Sequence, residues 1–241
     1  MRVEILMPRI PVLGLGTYYT NRGIEYNSDV PGARELRQWA FLAKDDGDRG
    51  ATTLRHPSST DPATYILRTP AEAYWYAGAV GQVLIPKAFE GLGMNQATTF
   101  LVPVPASCTT RATVAGRWPG LGIARDLESR GFGKVLASVF HKSAVVQAHS
   151  GMRLSARDLL KSLEQDKQPI HPWHRVVYVD DLFSWGNHVA AVHELLGRPK
   201  NAMVFTVGCT DKNRVNNALE ARYRFMSYET LDERPQVTDE L

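Results

Sequence analysis

Residues Val176–Gly186 read VVYVDDLFSWG. Val176–Val179 are mostly apolar and β-prone, and predict a short buried strand. Two aspartates follow directly, Asp180 and Asp181. Adjacent carboxylates repel each other and neither suits a core, so packing gives no reason for the pair and chemistry gives a better one. Ser184–Asn187 then reads as a turn, and His188–Leu196 (HVAAVHELL) has helical spacing. The unit is strand, acidic pair, turn, helix.

Working outward, Ala202–Val207 (AMVFTV) predicts a further buried strand. Upstream, Thr98–Val104 (TTFLVPV) reads as a strand running into the loop PASCTT. Gly120–Glu128 predicts a short helix, and Lys134–Phe140 a strand or ordered apolar stretch. Ser155, with Asp158 three residues on, caps a helix over Ser155–Glu164. Thr69-Pro70-Ala71-Glu72 offers a capping residue, a proline at the first helical position and a glutamate at the third. The helix it opens should be bent or ended by Gly78, Gly81 and Pro86. Tyr74, Trp75 and Tyr76 within it read as core packing.

Pro31–Lys44 predicts one more helix, Arg49–Pro62 a loop, and Asn213–Phe225 a last helix before a polar tail. Apart from the Pro31–Lys44 helix, the first seventy or so residues read as irregular, and Gly14-Leu15-Gly16 lacks the third glycine of a dinucleotide loop. Three regions are expected: a partly helical region 1–97, serving as a hood or a docking surface for a partner; a core 98–228; and a polar tail 229–241. Short apolar strands alternating with helices predict an α/β fold, a mainly parallel sheet covered on both faces. Such sheets bind ligands beyond the carboxyl ends of their strands, which selects VPVPAS and YVDD together.

Composition excludes several classes. Of 241 residues 44% are hydrophobic and 22% charged, as in an ordinary globular protein. No apolar run could span a bilayer and MRVEILMPRIP lacks a signal layout, so a cytoplasmic protein without membrane contact is expected. Cys108 and Cys209 form no CxxC pair, which argues against disulfide scaffolding and a cysteine zinc site. The seven histidines include no HxxxH and read mostly as packing or surface residues. A net charge of +3 is compatible with a phosphorylated ligand or with nucleic acid but demands neither. The mixed stretch Lys44–Arg49 reads as solvated surface.

YVDDL looks like the acidic box of reverse transcriptases. That box needs a second strand immediately after the carboxylates, whereas helical spacing follows here. Receiver domains also carry paired acids after a strand, but too few residues follow Asp181 to complete one. VVYVDDLFSWGNHV (176–189) instead resembles the phosphoribosyl-pyrophosphate (PRPP) motif of type I phosphoribosyltransferases: four hydrophobic residues, two acids, two hydrophobics, then a glycine-containing turn and a helix. FLVPVPAS (100–107), Arg111, RWPGLGIARDL (117–127) and VQAHSGMRLSARDLLK (146–161), with Gln147, Leu154, Ser155 and Arg157 in order, are similar to the ComF-type (competence protein F-like) branch. The similarity covers about Phe100 to Val207.

The resemblance implies a type I phosphoribosyltransferase-like sheet and transfer of a phosphoribosyl group to or from a nitrogenous base, with pyrophosphate as the other product. It implies that Asp180 and Asp181 hold the ribose hydroxyls and that Ser184, Trp185, Gly186, Asn187 and His188 cradle the 5′-phosphate. Pro105, Ala106, Ser107 and Arg111 would bind pyrophosphate. Mg²⁺ would reach the site on the substrate, with no protein ligand assigned beyond the nearby Asp180 and Asp181. The N-terminal region and Cys209–Arg224 would form the hood that selects the base. Two features depart from the family. Thr-Thr-Gly-x-Thr is replaced by Ser184-Trp185-Gly186-Asn187-His188, and no zinc ribbon precedes the core. The alternative implied is a degenerate PRPP- or nucleotide-binding regulator, a ComF-like DNA-handling accessory, or a subunit that works as a homo-oligomer or with a partner protein.

Overall fold

The computed structural model describes residues 9–18, 30–44, 51–55, 64–89, 96–113, 118–145, 154–166, 170–184, 186–210, 218–219 and 221–239. In chain order its elements are β1 (Arg9–Tyr18), α1 (Ala33–Ala43), β2 (Thr52–Arg55), β3 (Thr64–Leu67), α2 (Pro70–Ala88) and β4 (Thr99–Pro103). A 3-10 turn (Arg111–Thr113) leads to α3 (Pro119–Ser129), β5 (Lys134–Val135), β6 (Val139–His141), α4 (Ala156–Ser162) and β7 (Leu163–Gln165). The chain then forms β8 (Arg175–Phe183), α5 (Asn187–Leu195), β9 (Asn201–Thr210), β10 (Arg222–Ser227) and β11 (Gln236–Asp239).

Seven strands form one sheet in the order β11-β10-β1-β9-β8-β4-β5. From β1 to β5 all neighbours are parallel; β10 runs antiparallel to β1, and β11 antiparallel to β10. Successive strand residues point to opposite faces, so β8 feeds two cores. Val177 and Val179 join Trp39, Val80, Ile123 and Phe205 under α1, α2 and α3. Val176 and Tyr178 join Val102, Leu159, Val192 and Val204 under α4 and α5. The result is the expected α/β sheet with helices on both faces. Among the described residues no helix is long and apolar enough to cross a membrane.

The Thr69 capping box forms as read: Thr69 Oγ1 accepts from Glu72 N–H at 3.2 Å, and Glu72 Oε2 accepts from Thr69 N–H at 2.9 Å. The helix is not cut short, however. Gly78 and Gly81 let it lie close against Asp126 and the Phe205 ring, and Pro86 falls within its last turn.

Several expectations need correction. The supposedly irregular N-terminus supplies β1, an interior strand, and residues on both sides of 97/98 share one sheet and one core. The Arg49–Pro62 stretch contains β2, which pairs with β3 as a hairpin. Lys134–Phe140 is not one strand: β5 pairs with β4, and β6 pairs with β7 in a separate two-stranded sheet. The helix expected over Asn213–Phe225 is, over its last residues, β10; Asn213–Asn217 and Glu220 lie outside the described residues. There Arg224 and Met226 alternate inward, a period of two that wins because β1 offers an edge to pair with. The polar tail contributes β11, where Asp239 bridges the buried Arg224 at 2.9 Å.

Candidate functional site

From β4 the chain passes through α3 to β5 on one side, whereas β8 lies on the other side of β4. The topology therefore switches between β4 and β8, and a crevice opens at their carboxyl ends. The two strands end at different heights. β4 stops at Pro103, opposite Val179, and Val104 N–H donates the last bond to Val179 O at 2.9 Å. β8 continues to Phe183, paired only with β9 through Asp180↔Thr206 and Leu182↔Gly208. The strand predicted to end at Val179 thus carries the acidic pair within its overhanging end.

Side-chain alternation slips by one along this overhang. Tyr178 and Phe183 lie in the same core although they are an odd number of positions apart. The Asp181 N–H donates to Asp180 Oδ1 at 2.9 Å. The carboxyls titrate in opposite directions. Burial, followed by the Asp181 charge, pushes Asp180 well above the ordinary carboxylate range. Burial also acts on Asp181, but Lys44 and hydrogen bonds from Asp180 and the Leu182 N–H outweigh it and hold Asp181 low. Lys44 Nζ stands 3.0 Å from Asp181 Oδ2, whose side chain is 14% exposed. The two shifts favour the proton on Asp180 and the charge on Asp181.

These opposite shifts give a stability prediction. A raised folded-state pKa means that Asp180 supports the fold while protonated, and that this support is lost as pH rises from the ordinary aspartate value through the folded value. Asparagine cannot ionise. Asp180→Asn is expected to match the wild type near pH 3 and to melt several degrees higher at neutral pH, measured by thermal denaturation across that range. An unchanged difference across pH would refute the assignment.

The turn after β8 leads into α5. Gly186 caps it in the left-handed region at φ 75°, which favours glycine, and so brings the α5 N-terminus back beside the acids. Ser184 is exposed and its carbonyl accepts from Thr210 Oγ1 at 2.8 Å; Trp185 lies outside the described residues. Asn187 Nδ2 donates to Leu154 O at 2.9 Å, tying α5 to the segment before α4, while Asn187 Oδ1 is buried without a hydrogen-bond partner. His188 is held down to about 4, first by burial and then by His141, with Asp181 opposing, and is therefore neutral.

On the β4 side, Pro105 is buried and Ala106 and Ser107 are half-buried. Their loop is stapled to the β6–β7 side: Val145 N–H donates to Ser107 O at 2.7 Å and His141 N–H to Thr109 O at 2.9 Å. Gly120, in the first turn of α3, closes over both strand ends. A Cβ there would stand 2.6 Å from Val179 O and 3.4 Å from Val104 O. Trp118 Nε1 donates to Val104 O at 2.7 Å.

Not every expected residue reaches the crevice. Arg111 is exposed and bound to Glu164 at 2.8 Å and to Asp166, so its charge is already engaged by the β7 segment. Arg157 pairs with Asp232 at 2.6 Å on the surface. Gln147 lies outside the described residues, as does most of the hood stretch before Arg222, while Arg222–Arg224 belong to β10. Conversely, two residues were read as bland. Lys44, assigned to a solvated loop, caps α1 and meets Asp181, and His141 stands beside His188, ring centroids 6.1 Å apart. The one signal that could have found Lys44 is its place at the end of a predicted helix.

A magnesium site built from the chain alone does not fit. Asp181 is engaged by Lys44, Asp180 favours its proton, and among the described residues no three His, Cys, Asp or Glu side chains converge as metal ligands. Neither the protein-family models nor the curated proteins contain a match to this chain.

Proposed function

We propose that the crevice binds PRPP and that the chain is a type I phosphoribosyltransferase-like protein of the ComF-type branch, transferring a phosphoribosyl group between a nitrogenous base and pyrophosphate. The observation carrying this reading is the acidic pair on the β8 overhang, at the topological switch point and beside the glycine-capped N-terminus of α5. A ribose offers two adjacent hydroxyls. Asp181, held low, accepts from one; Asp180, which favours its proton, can donate to the other as well as accept. The positive dipole end of α5 suits the 5′-phosphate, and the Pro105–Ser107 loop lies where the pyrophosphate would leave.

In the transition state positive charge grows on the ribose ring. Asp181 then faces developing charge of opposite sign in a partly buried site, where such an interaction is strengthened. Magnesium, where used, would come on the ligand's own oxygens and neutralise their charge.

A second reading, binding without turnover, is favoured by specific features. Two threonine hydroxyls are missing from the phosphate turn, His188 supplies no charge, and Arg111 is committed to Glu164 and Asp166. Calorimetric titration with PRPP, with and without Mg²⁺, followed by assay of pyrophosphate release against a panel of bases, separates the two. Binding with release is the expected result. Binding without release selects the regulator, and no binding rejects both.

A further inference from the structure

His141 ends β6 and is fully buried. Its Nδ1 lies 2.9 Å from Ser162 Oγ. A serine hydroxyl has one proton to give, and that of Ser162 goes to Leu159 O at 2.6 Å. Toward His141 the oxygen must therefore accept. That arrangement favours the Nδ1–H tautomer of a neutral ring, with a lone pair on Nε2. Nε2 has no hydrogen-bond partner. Burial lowers the affinity of the ring for a second proton, and the Pro105 carbonyl opposes that effect. The carbonyl is close enough to favour a charged ring, but an unprotonated Nε2 has nothing to donate to it.

The groups around the ring leave the balance adjustable. From α5 comes His188, neutral, and behind it on β8 stands Asp181, engaged by Lys44. The Arg111 guanidinium is matched by Glu164 and Asp166 from the β7 segment. Lys142 reaches outward to Lys161 O at 2.8 Å. Among the described residues no carboxylate bonds the ring, so an arriving anion would be the first negative charge to act on it without a committed partner.

We propose that His141 is an anion-linked proton acceptor of the crevice: neutral in the free protein, it takes up a solvent proton at Nε2 when a phosphate-bearing anion occupies the Pro105–Ser107 loop, and the resulting imidazolium helps to hold that anion. The same ring then donates from Nδ1 to Ser162 and from Nε2 toward Pro105. The inference rests on the phosphoribosyl reading for where the anion sits.

Histidine side-chain nitrogen NMR tests it on the intact protein, with Mg²⁺-pyrophosphate and PRPP as separate probes and calorimetry in two buffers of different ionisation enthalpy. The free protein should show His141 as the Nδ1–H tautomer, and the saturated protein should show both nitrogens protonated with buffer-dependent proton uptake. Relative to His141→Asn, whose amide can keep the bond to Ser162 but cannot gain a proton, wild-type affinity should fall more steeply with rising pH, by up to about tenfold per unit. An Nε2–H tautomer in the free protein, a neutral ring in the bound state, or no response to either anion overturns the proposal. Protonation by pyrophosphate without any PRPP binding would support it while removing the phosphoribosyl reading. PRPP binding with a neutral His141 would do the reverse.

Discussion

Replacing Asp180 and Asp181 together by asparagine is expected to abolish PRPP binding while leaving a folded protein. Each carboxyl serves one ribose hydroxyl: the bond to the charged Asp181 contributes roughly 1.5–3 kcal/mol and that to Asp180, which favours its proton, roughly 0.5–1.5 kcal/mol. Losing both should weaken binding by about 30–2,000-fold, toward or beyond the calorimetric limit for a micromolar ligand. The fold should survive because neither carboxyl is a core group: both lie on the overhang of β8, where β9 alone holds the backbone. Circular dichroism and the melting curve check that part. Undiminished binding by the folded double variant would show that the pair does not hold the ligand.

Gly120→Ala is expected to cost the most stability. The added methyl would stand 2.6 Å from a backbone oxygen of β8 and 3.4 Å from one of β4. No side chain can swing away to relieve it, so α3 must lift from both strand ends. Overpacking of this kind costs about 3 kcal/mol, which for a chain of this size lowers Tm by ~6–12 °C. Lifting α3 would also disturb the Trp118 bond to Val104 O, so indole fluorescence should change with it. An unaltered melting temperature would mean that the close seat of α3 on the crevice floor is not required.

The strands that frame the crevice were legible because they are buried on both faces. FLVP, VVYV and AMVFTV are continuous apolar runs of the sort that central parallel strands require. Helix starts were legible where a cap is written locally, at Thr69 and at Ser155. The position of Asp180 and Asp181 followed from the same local pattern. What failed was whatever depends on a distant partner. β1 carries Pro11, Gly14 and Gly16, which weaken any strand signal, and it is a strand because β9 and β10 flank it. Arg222–Ser227 reads as helix or strand according to whether a sheet edge is available. Lys44 and His141 belong to the site only because α1 and β6 end near the crevice, and no spacing within the sequence brings Lys44 to Asp181. Arg111 failed in the opposite sense: its place in the motif matched, but Glu164 of β7 and Asp166 just after it claim its charge.

The interior position of β1 also bears on how the molecule is made. Val12 pairs with Val204 on one side and with Arg224 on the other, so β1 waits for β9 and β10, which are made far later in the chain. Its hydrogen-bonding edges stay unsatisfied through most of synthesis, and ordering so wide a loop is slow because its entropy is lost before the contacts form. Lys44 and the acidic pair come together under the same delay. Once β9 has been added beside β8, its free edge is the place that β1 of the same chain fills, and β1 of a second chain would fit there equally well.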